Sequence, residues 1–335
     1  MKTLLLTLAY FLYCEGAAVV LKDTPRVVNN RPIIGILSQE QSLHLHDKYP
    51  EKNYTSFIAA SYVKDIQSSG ARVVPIMIGK DRDYYARIMR KINGVLFPGG
   101  GAKFQNANGY ADAGQHIYEI AKELNDQGEY FPLFGTCLGF ELLMVLASGR
   151  GKEENRARCH SYGNQPLNFE RDFRSSKMFK HAPEKVVHSL ANEDITVHAH
   201  SHCILDKNLK SYNLTKDWRV TSRGKDDNYV EFIASVEHKR FPFYGVQFHP
   251  EKSAFEWKQS EYYAHSAEAV KTNRYFMDFF VNECRKSSHV FANVAEENRH
   301  LIYSYKPHFT GPLGSLYQEC YLFESRGLGA DSKYL

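Results

Sequence analysis

Several absences narrow what this 335-residue chain can be. Its six cysteines include no C-x-x-C pair and follow no regular spacing, which argues against a zinc ribbon or a small disulfide-dense scaffold. No lysine or arginine run forms a basic stripe and the formal net charge is only +4, so no nucleic-acid surface is expected. Beyond the first residues, no stretch reaches the roughly 18 consecutive apolar residues of a membrane span. The phosphate-cradling pattern G-x-x-x-x-G-K-S/T is missing too, and no internal repeat or low-complexity segment is present. What is there is a globular composition, 43% hydrophobic with a mean hydropathy of −0.46, enough for one large core.

The beginning of the chain stands apart. Met1-Lys2 precedes an apolar run over 4–13 and the small residues of 14–18, the pattern of an export leader too short to cross a bilayer. Cleavage after Gly16 or after Ala18 fits equally well. Residues 1–18 are read as leader, 19–320 as a single domain and 321–335 as a mobile tail. Sequons at Asn53 and Asn213 suit a glycosylated lumenal or secreted protein. Loss of Cys14 with the leader leaves Cys137, Cys159, Cys203, Cys284 and Cys320. An odd number in an exported chain leaves at least one thiol free or bridging chains, and Cys137 is the best candidate for the free one.

From residue 32 onward, short apolar runs alternate with segments of helical period. Strands are expected at 32–37, 72–78, 94–100 and 131–136, and helices at 55–70, 81–92, 110–124 and 138–148. Four such units in series predict an α/β fold, a three-layer sandwich whose mostly parallel sheet is flanked by helices. Residues 151–185 are polar without a clear period and read as a surface excursion. Antiparallel strands are then expected at 195–204, 218–224, 230–238 and 242–249. A closing helix at 264–286 places Val270, Phe276, Phe279 and Phe280 near one face.

Three segments carry chemistry. Gly135-Thr136-Cys137-Leu138-Gly139 joins a strand to a helix in the form of a nucleophile elbow, a tight strained turn that lifts its central side chain to the sheet edge. The helix N-terminus behind Cys137 is expected to favour thiolate and lower its pKa, and the Leu138 N–H is placed for an oxyanion. In 246-VQFHPEKS-253 an apolar strand delivers His249 to its end, where Pro250 stops the ladder. His249 can serve as base, with Glu251 orienting it. The Pro-Gly-Gly-Gly run at 98–101 ends another strand at the same sheet edge and offers backbone N–H donors.

These motifs in this order resemble the class I glutamine-amidotransferase-like cysteine hydrolases, and within them the γ-glutamyl hydrolase branch. The phrases 57-FIAASYVKDIQSSGARVVP-75, 133-LFGTCLGFE-141, 245-GVQFHPEK-252 and 278-DFFVNECRK-286 are similar to that branch, over roughly residues 30 to 320. The resemblance implies hydrolysis of γ-glutamyl amides, chiefly folyl and antifolyl poly-γ-glutamates, through a cysteine thioester and without a cofactor. It implies Cys137 as nucleophile, His249 as general base and acid, and Glu251 as supporting carboxylate. An oxyanion hole from Gly99, Gly100 and Leu138 follows, with His198 lining the substrate cleft. Glu141 and Tyr62 also match its motifs, and a homodimer is implied as well. Lys252 is a cation that could meet a glutamate carboxylate.

The run 198-HAHSH-202 departs from the branch. On a strand His198, His200 and His202 would share one side, but the span from His198 to His202 is too wide for one ion, so no metal site is expected. Two rival functions stand beside the hydrolase. A glutaminase domain feeding ammonia to a synthetase would need a synthetase or ATP site, which the chain does not show. A secreted binding protein on the same fold would be expected to have lost Cys137, His249 or Glu251, yet all three are present.

Overall fold

The computed structural model describes residues 28–41, 47–48, 52–150, 156–258 and 262–324. The leader, including Cys14, and residues 325–335 lie outside the described residues. The first half of the chain runs β1 (Ile33–Leu37), β2 (Gln39–Glu40), β3 (Tyr54–Ala59), α1 (Ala60–Ser68), β4 (Arg72–Ile76) and α2 (Arg82–Met89). It continues with β5 (Val95–Phe97), α3 (Tyr110–Asp126), β6 (Leu133–Thr136) and α4 (Leu138–Ala147). The second half contributes β7 (Ala157–Gln165), β8 (Asn168–Phe169), β9 (Thr196–Cys203), β10 (Trp218–Lys225), β11 (Glu231–His238) and β12 (Phe243–Val246). Last come the one-turn helix α5 (Lys252–Phe255), the long helix α6 (Ala267–Cys284), β13 (Pro307–Phe309) and β14 (Glu319–Glu324).

The main sheet has the order β4-β1-β5-β6-β12-β11-β10-β8. Its first five strands are parallel and its last three join antiparallel, so the expected α/β sandwich with an antiparallel extension is what forms. The reason lies in the strands. β1 is apolar throughout and buried on both faces, with Ile33 and Leu37 in one core and Ile34 and Ile36 in the other. Phe97, Leu133 and Phe140 extend the first core. The second is closed by α6, whose Phe276 packs on Phe248 at 5.0 Å and Phe280 on Phe134 at 5.3 Å between ring centroids. Side-chain caps start α2 and α6, where Asp81 accepts from Tyr84 N and Ser266 from Ala269 N.

Four expectations change. Residues 55–59 are strand rather than the start of a helix, because they belong to β3, which pairs antiparallel with β14. That partner lies some 260 residues away, so no local period reveals it. β12 is the seam of the sheet, antiparallel to β11 but parallel to β6, and it places the segment leading to His249 beside the one leading to Cys137. β9 leaves the sheet to pair with β7, a strand inside the stretch read as aperiodic excursion, and a disulfide between Cys159 and Cys203 ties the two. Finally, residues 321–324, assigned to the tail, are the last part of β14.

The elbow depends on two glycines. A Cβ at Gly139 would stand 1.9 Å from the Phe97 carbonyl oxygen, and one at Gly135 would stand 2.6 Å from the Gly139 backbone. Helix α4 therefore starts with its backbone against β5 and β6, closer than any side chain allows. Gly139→Ala should lower unfolding stability by roughly 1–3 kcal/mol through overpacking. Gly101→Ala, where an added Cβ meets nothing within 4 Å, should stay within about 0.5 kcal/mol. Denaturant titration of both variants checks the contrast.

Candidate active site

Strand β6 ends at Thr136 and α4 begins at Leu138, leaving Cys137 alone between them with φ +50° and ψ −110°. A positive φ is strained for cysteine, and it is held here because Cys137 N donates to Val246 O at 2.8 Å. The neighbouring strand thus sets the nucleophile's angle. One residue beyond Val246, Gln247 points Nε2 at Cys137 Sγ, 3.9 Å away. Two residues further, His249 follows, its N–H donating to Val197 O on β9 at 2.8 Å.

His249 and Glu251 form the expected pair, Nδ1 to Oε1 at 2.7 Å, with both residues buried. Burial opposes ionisation of Glu251, but His249 and Lys252 outweigh it and hold the carboxyl below its ordinary value. Burial pushes His249 the other way, below the ordinary 6.5, although Glu251 resists. The pair is therefore a carboxylate and a neutral imidazole. With the Nδ1 proton given to Glu251, the Nε2 lone pair is free to act as base.

The Gly-rich loop closes over these groups. A Cβ on Gly99 would meet His249 Cε1 and the Tyr62 hydroxyl at 2.7 Å and Cys137 Cβ at 3.1 Å. Only glycine lets the loop pass between nucleophile and base. Its carbonyls are pinned by side chains: Gln39 Nε2 donates to Pro98 O and Gly99 O, both at 3.0 Å, and Tyr110 OH donates to Pro98 O at 2.8 Å. Gly99 N–H is already used, donating to the Tyr62 hydroxyl at 2.9 Å. One of the three donors expected for an oxyanion, with Gly100 and Leu138, is thus engaged by a side chain. Tyr62 lies 3.2 Å from His249 Nδ1, so it links loop and base.

The expectation of a helix-activated thiolate is corrected. Burial pushes the Cys137 thiol well up, Glu141 and Glu251 add to it, and the Leu138 N–H and Lys252 offset only part. Desolvation wins because Cys137 is only 4% exposed.

Other predicted residues fall as follows. Glu141 is buried on the first turn of α4, bound to Gln247 Nε2 and Arg156. Burial works against a charge on Lys252, yet Tyr263, Glu251 and Glu256 hold its pKa above the ordinary value. Its Nζ lies 3.2 Å from the Tyr263 hydroxyl and over the Tyr263 and Tyr317 rings. His198 is buried against Phe232 and Phe248 rather than open to a cleft, and its Nδ1 lies 3.1 Å from His200 Nε2. Burial pushes both imidazoles down, His200 to about 3. Among the described residues, no group of three His, Cys, Asp or Glu is arranged to hold a metal. Cys137, Cys284 and Cys320 are free.

The sequence pattern of the family described as peptidase C26 matches residues 32–251, a span that holds the loop, the elbow and the His249–Glu251 pair. The chain belongs to the peptidase C26 family. Gamma-glutamyl hydrolase of Mus musculus is 42% identical over 299 residues, 88% of this chain and 90% of that one. The Bos taurus protein of the same name is 38% identical over 322 residues, 96% of this chain and 98% of that one. For the Homo sapiens protein the identity is 36% over 326 residues, with 96% and 98% covered.

Sequence reasoning missed three residues of this C26 site. Gln247 stands inside a quoted motif, two positions before His249, and strand alternation could have put the two on one side. Gln39 follows β1 and reaches the loop only through tertiary packing. Arg156 comes from the aperiodic stretch, which carries no signal at all. Because the resting thiol is neutral, alkylation of Cys137 should still be accelerating above about pH 8. A plateau already reached in acid would show a thiolate and contradict the geometry; a pH series with iodoacetamide and peptide mapping separates the two.

Proposed function

We propose that this chain hydrolyses γ-glutamyl amide bonds, taking folyl and antifolyl poly-γ-glutamates as substrates, by way of a Cys137 thioester. The observation that carries this is a single sheet edge where the strained Cys137, the His249–Glu251 pair and the pinned Gly loop meet. Relatives named gamma-glutamyl hydrolase, 36 to 42% identical over most of the chain, support the choice of bond.

As Cys137 Sγ attacks the γ-carbonyl carbon, His249 Nε2 takes the thiol proton. The carbonyl oxygen becomes an oxyanion held by Gly100 and Leu138 N–H. Collapse breaks the C–N bond, and the imidazolium passes its proton to the departing amine nitrogen. A γ-glutamyl thioester remains. His249 then deprotonates water, which attacks the thioester carbon; the C–S bond breaks, Cys137 regains a proton and the γ-carboxyl is released. Glu251 steadies the imidazolium in each half, and Lys252 favours the departing thiolate. In this account His198 acts behind His249, through the β9 strand that accepts the His249 N–H.

A homodimer, glycosylation at Asn53 and Asn213, and residence in the lysosome or outside the cell complete the proposal. Family likeness supports the first. The leader pattern and the exposure of both asparagines support the others.

On a γ-linked diglutamate, Cys137→Ala should be inactive, and Glu251→Gln should lose about 10²- to 10⁴-fold in kcat. Since His249 is pushed below 6.5, it protonates at a lower pH than an ordinary imidazole. The acid limb of kcat/KM should therefore fall only below that value. Full activity in Cys137→Ala would refute the assignment. Turnover of glutamine alone by the wild type would favour a glutaminase.

A further inference from the structure

A polar group beside the nucleophile takes no part in those proton transfers. Glu141 binds Gln247 Nε2 through Oε1 at 3.0 Å and Arg156 Nη1 through Oε2 at 2.8 Å. Gln247 Nε2 in turn lies 3.9 Å from Cys137 Sγ. Arg156 therefore reaches the sulfur through two side chains. It stands just before β7 with its side chain 10% exposed, and its guanidinium lies 4.3 Å from the Phe104 ring centroid.

This group is incomplete. Among the described residues, neither Arg156 Nε nor Gln247 Oε1, both buried, has a hydrogen-bond partner. Leaving a buried donor or acceptor unmatched is costly, so such atoms at a reaction centre mark a place that a ligand completes. The missing partner has a definite chemistry. The open Nε–H of a guanidinium calls for a charged acceptor such as a carboxylate, while the amide oxygen calls for an N–H. A carbon bearing both a carboxylate and a nitrogen donor satisfies the two at once. The α-carbon of a γ-linked glutamate is such a carbon. In an extended γ-glutamyl thioester its carboxylate lies about 6 Å from the sulfur by ordinary bond lengths, while Arg156 is joined to that sulfur by three contacts in series, of 3.9, 3.0 and 2.8 Å.

We propose that Arg156 is a specificity-determining residue that binds the α-carboxylate of the glutamyl residue acylating Cys137. Gln247 Oε1 accepts the N–H on the same α-carbon, and Glu141 holds Arg156 and Gln247 in register. The assignment rests on the γ-glutamyl reading of the site. It explains why a buried carboxylate stands so near a nucleophile it discourages: Glu141 is there to orient the arginine. It also makes the selected unit a γ-linked residue with a free α-carboxylate, whatever its α-nitrogen carries.

The test uses two γ-glutamyl anilides, one with the free α-carboxylate and one with that group converted to carboxamide. Wild-type enzyme should favour the carboxylate by roughly 10- to 100-fold in kcat/KM, the range of a charge-assisted hydrogen bond. Arg156→Ala should lower the ratio of carboxylate to carboxamide kcat/KM toward one, whatever the absolute rates. Should Arg156→Ala be inert to both, Arg156→Lys decides: it keeps the charge opposite Glu141 but not the Nε–H, and its ratio should be intermediate. A wild-type enzyme indifferent to the α-group, or a variant that keeps the wild-type ratio, overturns the proposal. Turnover of neither anilide by wild type, with a γ-linked diglutamate also refused, removes the hydrolase reading itself.

Discussion

The backbone of Phe97 and the first turn of α4 approach so closely that only glycine fits at position 139. Much of the site depends on that contact. It forces the chain to turn within one residue, and that residue is Cys137 with its positive φ. The same closeness brings the strand end before Pro98 alongside the elbow, so the loop that supplies Gly100 lies over the cysteine. β12 then completes the arrangement by pairing with β6, since its Val246 carbonyl fixes the Cys137 amide and its continuation carries Gln247 and His249. Three consecutive parallel strands, β5, β6 and β12, thus each deliver one part of the chemistry from the same edge.

Burial sets how that chemistry runs. A dry pocket strengthens each hydrogen bond in it but penalises every charge. Cys137 and His249 respond by resting neutral, while Glu251 keeps its charge because Lys252 and the imidazole face it. In the proposed mechanism the thiolate therefore forms as the substrate carbonyl accepts the sulfur. The lowered histidine pKa makes the imidazole a weaker acceptor of the thiol proton but delays its protonation as the medium becomes acidic. The tyrosine that takes up Gly99 N–H also touches the imidazole, so loop and base cannot shift independently.

The sheet was legible because strands buried on both faces spell continuous apolar runs, and β1, β4, β5 and β6 appear within a few residues of their expected bounds. Cys137 was legible for a different reason, since glycines flank the end of β6; the strand expected to carry His249 to its end stops instead at Val246, three residues short of it. What stayed hidden depends on partners distant in sequence. Residues 55–59 read as helix until β14 pairs with them, and β7 looked aperiodic because the ribbon it forms with β9 stands off the main sheet. The state of Cys137 was misjudged because a helix N-terminus can be seen in a sequence, whereas the depth of a side chain cannot. Gln39 and Arg156 are single polar residues without a pattern, visible only once the fold has brought them to the loop and the elbow.

The central claim is that Cys137 becomes covalently acylated by the γ-glutamyl group. Acid-quenching the enzyme during turnover of a γ-linked glutamate chain, followed by peptide mass analysis, tests this directly. The account predicts that the peptide containing Cys137 gains the mass of the γ-glutamyl acyl portion of the substrate, that the adduct is released by hydroxylamine, and that Cys284 and Cys320 remain unmodified. Steady turnover with no adduct on Cys137 under a quench fast enough to trap a thioester, or an adduct on another residue, would contradict it.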